Sequence, residues 1–225
     1  MDWAAIRLSV VLAGTTALVL FVIGLPVAYW LATSRRRWKF LVEAVVALPL
    51  VLPPTVLGFY LLVALGPASP LGRAWEAATG STLPFSFEGL LVASVLYSLP
   101  FAVQPFAAAI AGVDPRLVEA SWSLGLSRAA TFVRLVLPLS ARGVATGLVL
   151  AFAHTLGEFG VVLMIGGNIA GVTRTASIAI YDHVQSLDYA AAGRTSAFLL
   201  AVSFAVLAVT YALQRRVWSP WTARS

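Results

Sequence analysis

The feature that most restricts how this chain can fold is a long apolar segment near its N-terminus. Residues Leu8 to Ser34 contain no charged side chain. A helix needs about 20 apolar residues to cross a bilayer, so this segment is long enough. A cleaved signal peptide fits less well, because the run is too long and its flanking cations, Arg35 to Arg37 and Lys39, follow it rather than precede it. We therefore expect an uncleaved first membrane span.

The composition of the whole chain predicts more spans of the same kind. Of the 225 residues, 60% are hydrophobic and only 11% are charged, and the mean hydropathy is +0.91. These values predict an all-α, polytopic transmembrane helical bundle that forms one domain over 1–225. About five spans are expected, at 8–33, 40–66, 88–113, 143–166 and 190–213, with a cytoplasmic loop at 114–142.

The distribution of charge predicts an orientation in the membrane. The formal net charge is +6, but most of the 15 basic residues lie in short connections between apolar runs. This pattern follows the positive-inside rule and argues against a nucleic-acid partner. It predicts a multi-pass protein of a bacterial inner membrane, in contact with lipid, with the N-terminus outside and the C-terminus in the cytoplasm. Arg215, Arg216 and Trp218 are expected to hold the inner end of the fifth span.

Residues that the chain lacks exclude several functions. It has no cysteine and only two histidines, so disulfides and thiolate metal sites are excluded and no metal site is predicted. The sole lysine, Lys39, follows Trp38 rather than the glycine of a phosphate-binding loop. We therefore expect no catalytic site and no cofactor on this chain.

Prolines interrupt the second and third spans. Pro53 and Pro54 lie in the second span, and each removes a backbone donor where lipid cannot replace it. Such a break is tolerated beside protein or a water-filled path, and Thr55 fits that lining. In the third span Gln104 is expected to face the bundle interior. Pro53, Pro54, Thr55 and Gln104 are therefore candidates for a translocation path, the alternative being helices that are kinked only for packing.

The fourth predicted span contains two ionisable residues. His154 and Glu158 are four positions apart, so a continuous helix would place them on one face. Such residues are costly in a membrane unless they meet water or a partner. They predict a gate or a path element, or else a buried pair that fixes helix packing, with Arg194 as a further counterion. A third alternative is an ion-coupled transporter that uses the two as a proton relay.

A polar, arginine-bearing segment separates the third and fourth spans. Asp114 can cap a helix that begins at Pro115 and ends at Gly125. Ser127 can cap a second short helix, which Pro138 is expected to stop. The first helix carries an apolar stripe suited to a groove on a partner, formed by Leu117, Ala120 and Leu124. The alternatives are a cytoplasmic hairpin without a partner and a scaffold that recruits a protein without moving solute.

The spacing within this segment resembles the EAA loop of ABC-importer membrane subunits. The matching positions are Glu119, Ala120, Gly125, Leu135, Leu137 and Pro138, with Ser121 in place of the second alanine. This resemblance implies a coupling helix that docks on a separate ATPase subunit, which would carry the ATP and magnesium.

Three further stretches are similar to the membrane subunits of molybdate ABC transporters. They are LPLVLPPTVLGFYLL in the second span, LGEFG at 156–160 and GNIAGVTRTASIAIY at 167–181. The resemblance implies a type I ABC importer permease that forms a homodimer, with two cytoplasmic ATP-binding subunits and an external solute-binding protein. Permeases for tungstate, sulfate or thiosulfate share the layout and remain alternatives for the cargo.

Two polar segments are expected on the outer side. The loop 67–87, with Trp75 and Phe85, is either a contact for the binding protein or an ordinary connection. The segment 166–189 is too polar for a span, and is expected to form an outer loop followed by a short helix at the interface. Its hydrogen-bond donors could contact an oxyanion or the binding protein, or serve as an interfacial anchor; they are Asn168, Thr173, Arg174 and Thr175.

Overall fold

The computed structural model describes residues 1–215 and contains only helices there. The predictions for Arg216 and Trp218, and for the side chain of Arg215, lie outside the described residues. The helices are α1 (Trp3–Thr33), α2 (Lys39–Val51), α3 (Pro54–Leu65), α4 (Pro70–Thr79), α5 (Phe87–Ala111), α6 (Pro115–Ser123), α7 (Arg128–Thr131), α8 (Leu137–Gly157), α9 (Gly160–Gly166), α10 (Ala176–Gln185) and α11 (Tyr189–Arg215), with a π-helical segment, Phe132–Val136, between α7 and α8.

The centre of the bundle is formed by α1, α5 and α8, which pack against one another more extensively than any other group of helices. Glycines permit the close approach of α8 to α5. A Cβ atom on Gly147 would lie 2.7 Å from the ring of Phe106, and one on Gly143 would lie 2.3 Å from the Cβ of Ala109. Phe106 is completely buried. Close packing around small residues is how helices associate in a membrane, where lipid supplies no hydrophobic driving force between them.

The number of apolar helices agrees with the predicted bundle. Four helical segments are long and apolar enough to cross a membrane, and a fifth span is possible if α2 and α3 count as one. The chain bends by 113° between these two helices. Pro53 lies between them and Pro54 opens α3, so neither proline has to donate a helical hydrogen bond. The bend is far larger than an ordinary proline kink, so α2 and α3 are two separate helices rather than one kinked helix.

The fourth span begins earlier and ends earlier than predicted. Pro138 does not stop a helix, because α7, the π-helical segment and α8 run on as one helix from Arg128 to Gly157. The wide π turn accommodates the proline: the N–H of Leu137 donates to the carbonyl of Phe132, five residues back. Residues 128–142, the second half of the predicted cytoplasmic loop 114–142, are therefore helical and lead directly into the fourth span.

The two polar segments that were predicted to lie on the outer side contain short helices. The 67–87 connection includes α4, and its Trp75 is half-buried against an apolar cluster with Leu65, Leu83 and Leu90. Phe85 is exposed, yet its N–H donates to the carbonyl of Ile165. Residues 167–175 form a loop, and α10 follows it. Because Ile178 and Ala179 are buried, α10 packs against the bundle on one face.

Candidate functional site

A cavity of about 570 Å³ opens where α3 begins and where the chain breaks between α8 and α9. It brings together Pro54 and Thr55 from the second predicted span and His154 and Glu158 from the fourth. The other lining residues are Tyr97, Gly157, Phe159, Gly160, Leu163 and Met164. Two interrupted helices meeting at one cavity form the arrangement in which irregular backbone is tolerated at membrane depth.

Glu158 lies at the break that ends the helix of His154. Helix α8 ends at Gly157, and Glu158 is its C-cap, with φ of −68° and an extended ψ of 139°. The extended ψ turns the chain only after Glu158, so its side chain still lies about one helical turn beyond that of His154. The two side chains line the same cavity, in agreement with their four-residue spacing.

His154 is held in place by polar and aromatic neighbours on α5. Its Nδ1 shares a hydrogen bond of 2.9 Å with the Ser98 hydroxyl, which shares another of 2.8 Å with the hydroxyl of Thr155. The imidazole stacks on the ring of Phe101, with 3.9 Å between centroids, and Tyr97 lies 4.8 Å away. These contacts fix the ring at the cavity wall and join α8 to α5 across the bundle.

Glu158 is buried with little compensation for its carboxyl group. The residue is only 6% exposed, and neither carboxyl oxygen has a hydrogen bond of standard geometry within residues 1–215, although the Ser94 hydroxyl of α5 lies close enough to interact with it. Arg194, the predicted counterion, is exposed and forms no ion pair with any described residue. A buried carboxyl group with so little compensation is costly, so Glu158 is expected to lower the stability of the fold.

Two of the predicted path residues lie elsewhere. Gln104 is exposed on this chain and does not line the cavity, so the prediction that it faces the bundle interior was wrong. Its neighbour Val103 and nearby Phe106 are completely buried and occupy the inner face of α5. Pro53 is exposed at the bend between α2 and α3.

The cavity wall is tightly packed where α3 meets α9. A Cβ atom on Gly58 would lie 2.6 Å from the Cβ of Met164, and one on Gly160 would lie 2.6 Å from the Cβ of Pro54. Tyr97, Ser98 and Gly160 belong to this site although sequence reasoning did not select them. Tyr97 and Ser98 lie on α5 about two turns before Gln104, and only the approach of α8 and α9 shows which face of α5 contributes.

The predicted coupling segment forms the helix that the sequence indicated. The Asp114 carboxylate accepts from the Arg116 N–H, and Gly125 has φ of +83° after α6. Glu119 and Ala120 are exposed, as are the apolar side chains Leu117, Trp122 and Leu124, the last by 83%. Leu137 and Pro138 lie at the start of α8.

Ser121 has a structural reason to replace alanine. It is buried, its hydroxyl donates to the Val118 carbonyl, and it shares a hydrogen bond of 2.9 Å with the Thr131 hydroxyl. Ser121 therefore joins α6 to α7, and the two short helices hold a fixed relative position.

The four candidate contacts that were predicted for the outer side differ in accessibility. Asn168 is exposed, whereas Thr173 is completely buried, donating to the Gly166 carbonyl and accepting from the Ile169 N–H. Thr175 is buried and caps α10 by accepting from the Ile178 N–H. Arg174 pairs with Asp182 and Asp2.

An apolar helical bundle with a cavity at interrupted helices and an exposed amphipathic helix defines a membrane transport subunit. The family model for the binding-protein-dependent transport system inner membrane component matches residues 24–221, and the chain belongs to this family. It is 50% identical over 214 residues to the molybdenum transport system permease protein ModB of Azotobacter vinelandii, covering 95% of both chains. It is 34% identical over 223 residues to the protein of the same name from Escherichia coli K12, covering 99% of this chain and 94% of that one.

Solved structures share the fold at low sequence identity. The chain aligns with a bacterial ABC transporter involved in the import of alginate at a TM-score of 0.73 and 18% identity, covering 96% of this chain and 79% of that chain. It aligns with the inward-facing MetNI methionine ABC transporter at a TM-score of 0.74 and 15% identity, covering 97% of both. The predicted fold, an all-α bundle of the type I ABC importer permease class, is thereby confirmed.

Proposed function

We propose that this chain is the membrane-spanning permease subunit of an ATP-driven importer for molybdate. The observation that carries the proposal is the 50% identity over 95% of the chain with a molybdenum transport permease. The cavity at the interrupted helices supports it, because irregular backbone within a membrane bundle is tolerated beside protein or a water-filled path. The chain itself is not an enzyme in this proposal.

The remaining subunits complete the proposed transporter. Two copies of this chain form one pathway, two ATP-binding subunits with ATP and magnesium dock in the cytoplasm, and a solute-binding protein docks outside. The exposed apolar side chains of α6, Leu117, Trp122 and Leu124, support docking of an ATPase, because such a face is uncovered on this chain. This arrangement has the N-terminus outside and the C-terminus in the cytoplasm.

Transport proceeds by alternating access in this scheme. ATP-driven approach of the two ATPase subunits draws the α6 helices together, and the membrane helices switch the path from inward to outward facing. Thr55 and His154 offer polar atoms to the path, while Glu158 repels an anion and is better assigned to gating than to cargo binding.

ATP hydrolysis in proteoliposomes tests this proposal. The permease is reconstituted with its ATPase and binding protein, and molybdate, tungstate and sulfate are added separately. Stimulation by molybdate above the other two supports the cargo. Stimulation only by tungstate or sulfate would replace the cargo and keep the class, and failure to form a complex with the ATPase would overturn the class.

A further inference from the structure

A cluster of three charged side chains joins the N-terminal end of α1 to the middle of α10. The three are Asp2, Arg174 and Asp182. The guanidinium of Arg174 donates a hydrogen bond to the Asp182 carboxylate, and its Nε lies 3.7 Å from the Asp2 carboxylate. Asp2 also caps α1 by accepting from the Ala5 N–H. The Arg174 cluster therefore connects the first turn of α1, the loop 167–175 and the middle of α10.

Hydrogen bonds beside the cluster attach the same three parts to one another. The Ala176 N–H, at the start of α10, donates to the Ser9 hydroxyl of α1 over 2.8 Å in a buried position. Within the loop, the Thr173 hydroxyl spans from the Gly166 carbonyl to the Ile169 N–H. The end of α9 is thus fixed to the loop, and the loop is fixed to α1.

This attachment reaches the cavity through α9. The seven residues of α9 make it about 10 Å long, at 1.5 Å per residue. Gly160, Leu163 and Met164 of α9 line the cavity, and α9 ends at Gly166, where the attached loop begins. Because the cavity lining and the attachment to the loop lie on the same two turns of helix, we expect a shift of the loop to displace the cavity wall.

The charges of the cluster argue against cargo binding by Arg174. Two carboxylates already surround the one guanidinium, so the cluster carries an excess of negative charge that repels an oxyanion. The Asp182 side chain is 46% exposed, so water and salt reach its pair with Arg174, whereas the Arg174 Nε that faces Asp2 is buried and has no hydrogen bond within residues 1–215.

We propose that Arg174 is a positioning residue for transport: through Asp2 and Asp182 it holds the loop 167–175 against α1 and thereby sets the position of α9 at the cavity. This inference rests on the proposed transport function. Loss of the cluster frees the loop, weakens the coupling of ATP hydrolysis to cargo, and leaves the cargo affinity of the binding protein unchanged.

Loop mobility gives a test that does not depend on the cargo. The chain has no cysteine, so Ala170→Cys in the exposed loop accepts a single spin label. Arg174→Gln is expected to increase the mobility of the label. Arg174→Lys is expected to keep the mobility low, because its ammonium group retains the positive charge between Asp2 and Asp182. Arg73→Gln is the matched control, since Arg73 is exposed on α4 and forms no ion pair among the described residues.

The same variants are then compared for ATP hydrolysis in proteoliposomes with the ATPase and binding protein. The ratio of molybdate-stimulated to basal hydrolysis is expected to fall about fivefold in Arg174→Gln, as for loss of a partly exposed ion pair, and to stay near the unsubstituted value in Arg174→Lys. Unchanged label mobility in Arg174→Gln, or increased mobility with an unchanged ratio, overturns the inference. Unchanged mobility with a higher molybdate requirement would assign Arg174 to cargo. Increased mobility in Arg174→Gln, with no molybdate stimulation of the unsubstituted protein, would leave the attachment intact and overturn the proposed function.

Discussion

We expect the carboxyl group of Glu158 to be needed for transport although it lowers the stability of the fold. Its carboxyl group is buried at the cavity without a described hydrogen-bond partner, which costs folding free energy. Glu158→Gln keeps the shape and removes the possibility of charge. We expect molybdate uptake to fall at least about tenfold while the thermal unfolding midpoint does not fall, as for other functional residues that reduce stability.

Uptake of radioactive molybdate, divided by the amount of permease in the membrane fraction, checks this prediction. Glu76→Gln on α4 is the matched control, because Glu76 is exposed and lies outside the cavity. Uptake at the unsubstituted level in Glu158→Gln would exclude a gating role for the carboxyl group.

Ser98 is expected to contribute to stability through the hydrogen bonds at His154. Ser98→Ala removes the hydroxyl that bridges His154 and Thr155, so it leaves two polar groups without their observed partner. Unsatisfied buried groups cost about 1–3 kcal/mol, so a lower unfolding midpoint is expected in detergent. Ser123→Ala, at an exposed position on α6, should leave the midpoint unchanged, and equal midpoints for both variants would contradict the prediction.

At the scale of elements, the contact of α3 with α9 depends on Gly58. A Cβ atom there would lie 2.6 Å from the Cβ of Met164 and 3.3 Å from the Cα of Val161. Alanine favours a helix over glycine by about 1 kcal/mol, but overpacking of a close contact costs about 1–3 kcal/mol. We expect Gly58→Ala to lower the unfolding midpoint, since the backbone of α9 cannot yield as a side chain can.

Gly193→Ala provides the comparison for that measurement. Gly193 lies in α11, and a Cβ atom added there would have nothing within 4 Å. The higher helix propensity of alanine is then the only effect on stability, so the unfolding midpoint should rise or stay unchanged. A rise for both variants would show that α3 and α9 separate without cost.

The end of α6 gives a prediction about coupling. Gly125 has φ of +83°, with open space around it, so Gly125→Val strains the backbone without a steric clash. We expect the variant to reach the membrane in normal amounts and to lose most molybdate-stimulated ATP hydrolysis, because the turn orients α6 toward the ATPase. Gly80→Val has similar strain, with φ of +74° and open space after α4, and should retain stimulation. Normal stimulation in Gly125→Val would remove the coupling assignment.

The local elements that the sequence predicted correctly are those determined by neighbouring residues. Asp114 and Ser127 cap helices and Gly125 adopts a left-handed turn, since each depends on a few adjacent atoms. The π-helical turn before Pro138 and the extended conformation of Glu158 were missed. Proline and an apolar pattern indicate where a helix is disturbed, but tertiary packing decides whether it stops, widens or continues.

At the scale of the whole molecule, the apolar runs predicted the helical bundle, but they did not predict which distant helices contact one another. Pro54, Thr55, His154 and Glu158 were selected separately for proline breaks and membrane charge, and the structure places them at one cavity. Gln104 was misplaced because α5 is apolar on most sides, so its pattern does not identify the buried face.

Labelling of single cysteines tests the topology of the whole chain. The native chain contains no cysteine, so Ser81→Cys and Ser123→Cys each provide a single thiol at an exposed position. Helix α5 lies between the two positions and is long enough to cross the membrane, so they should lie on opposite sides. The basic connections predict that Ser123 lies on the cytoplasmic side. A membrane-impermeant maleimide should therefore label Ser81→Cys in intact spheroplasts and Ser123→Cys only in inside-out vesicles.

Labelling of both cysteines from one side would exclude α5 as a membrane span. If Ser123→Cys were labelled in spheroplasts and Ser81→Cys only in inside-out vesicles, α5 would remain a span but the orientation would be reversed. Helix α6 could then not reach a cytoplasmic ATPase.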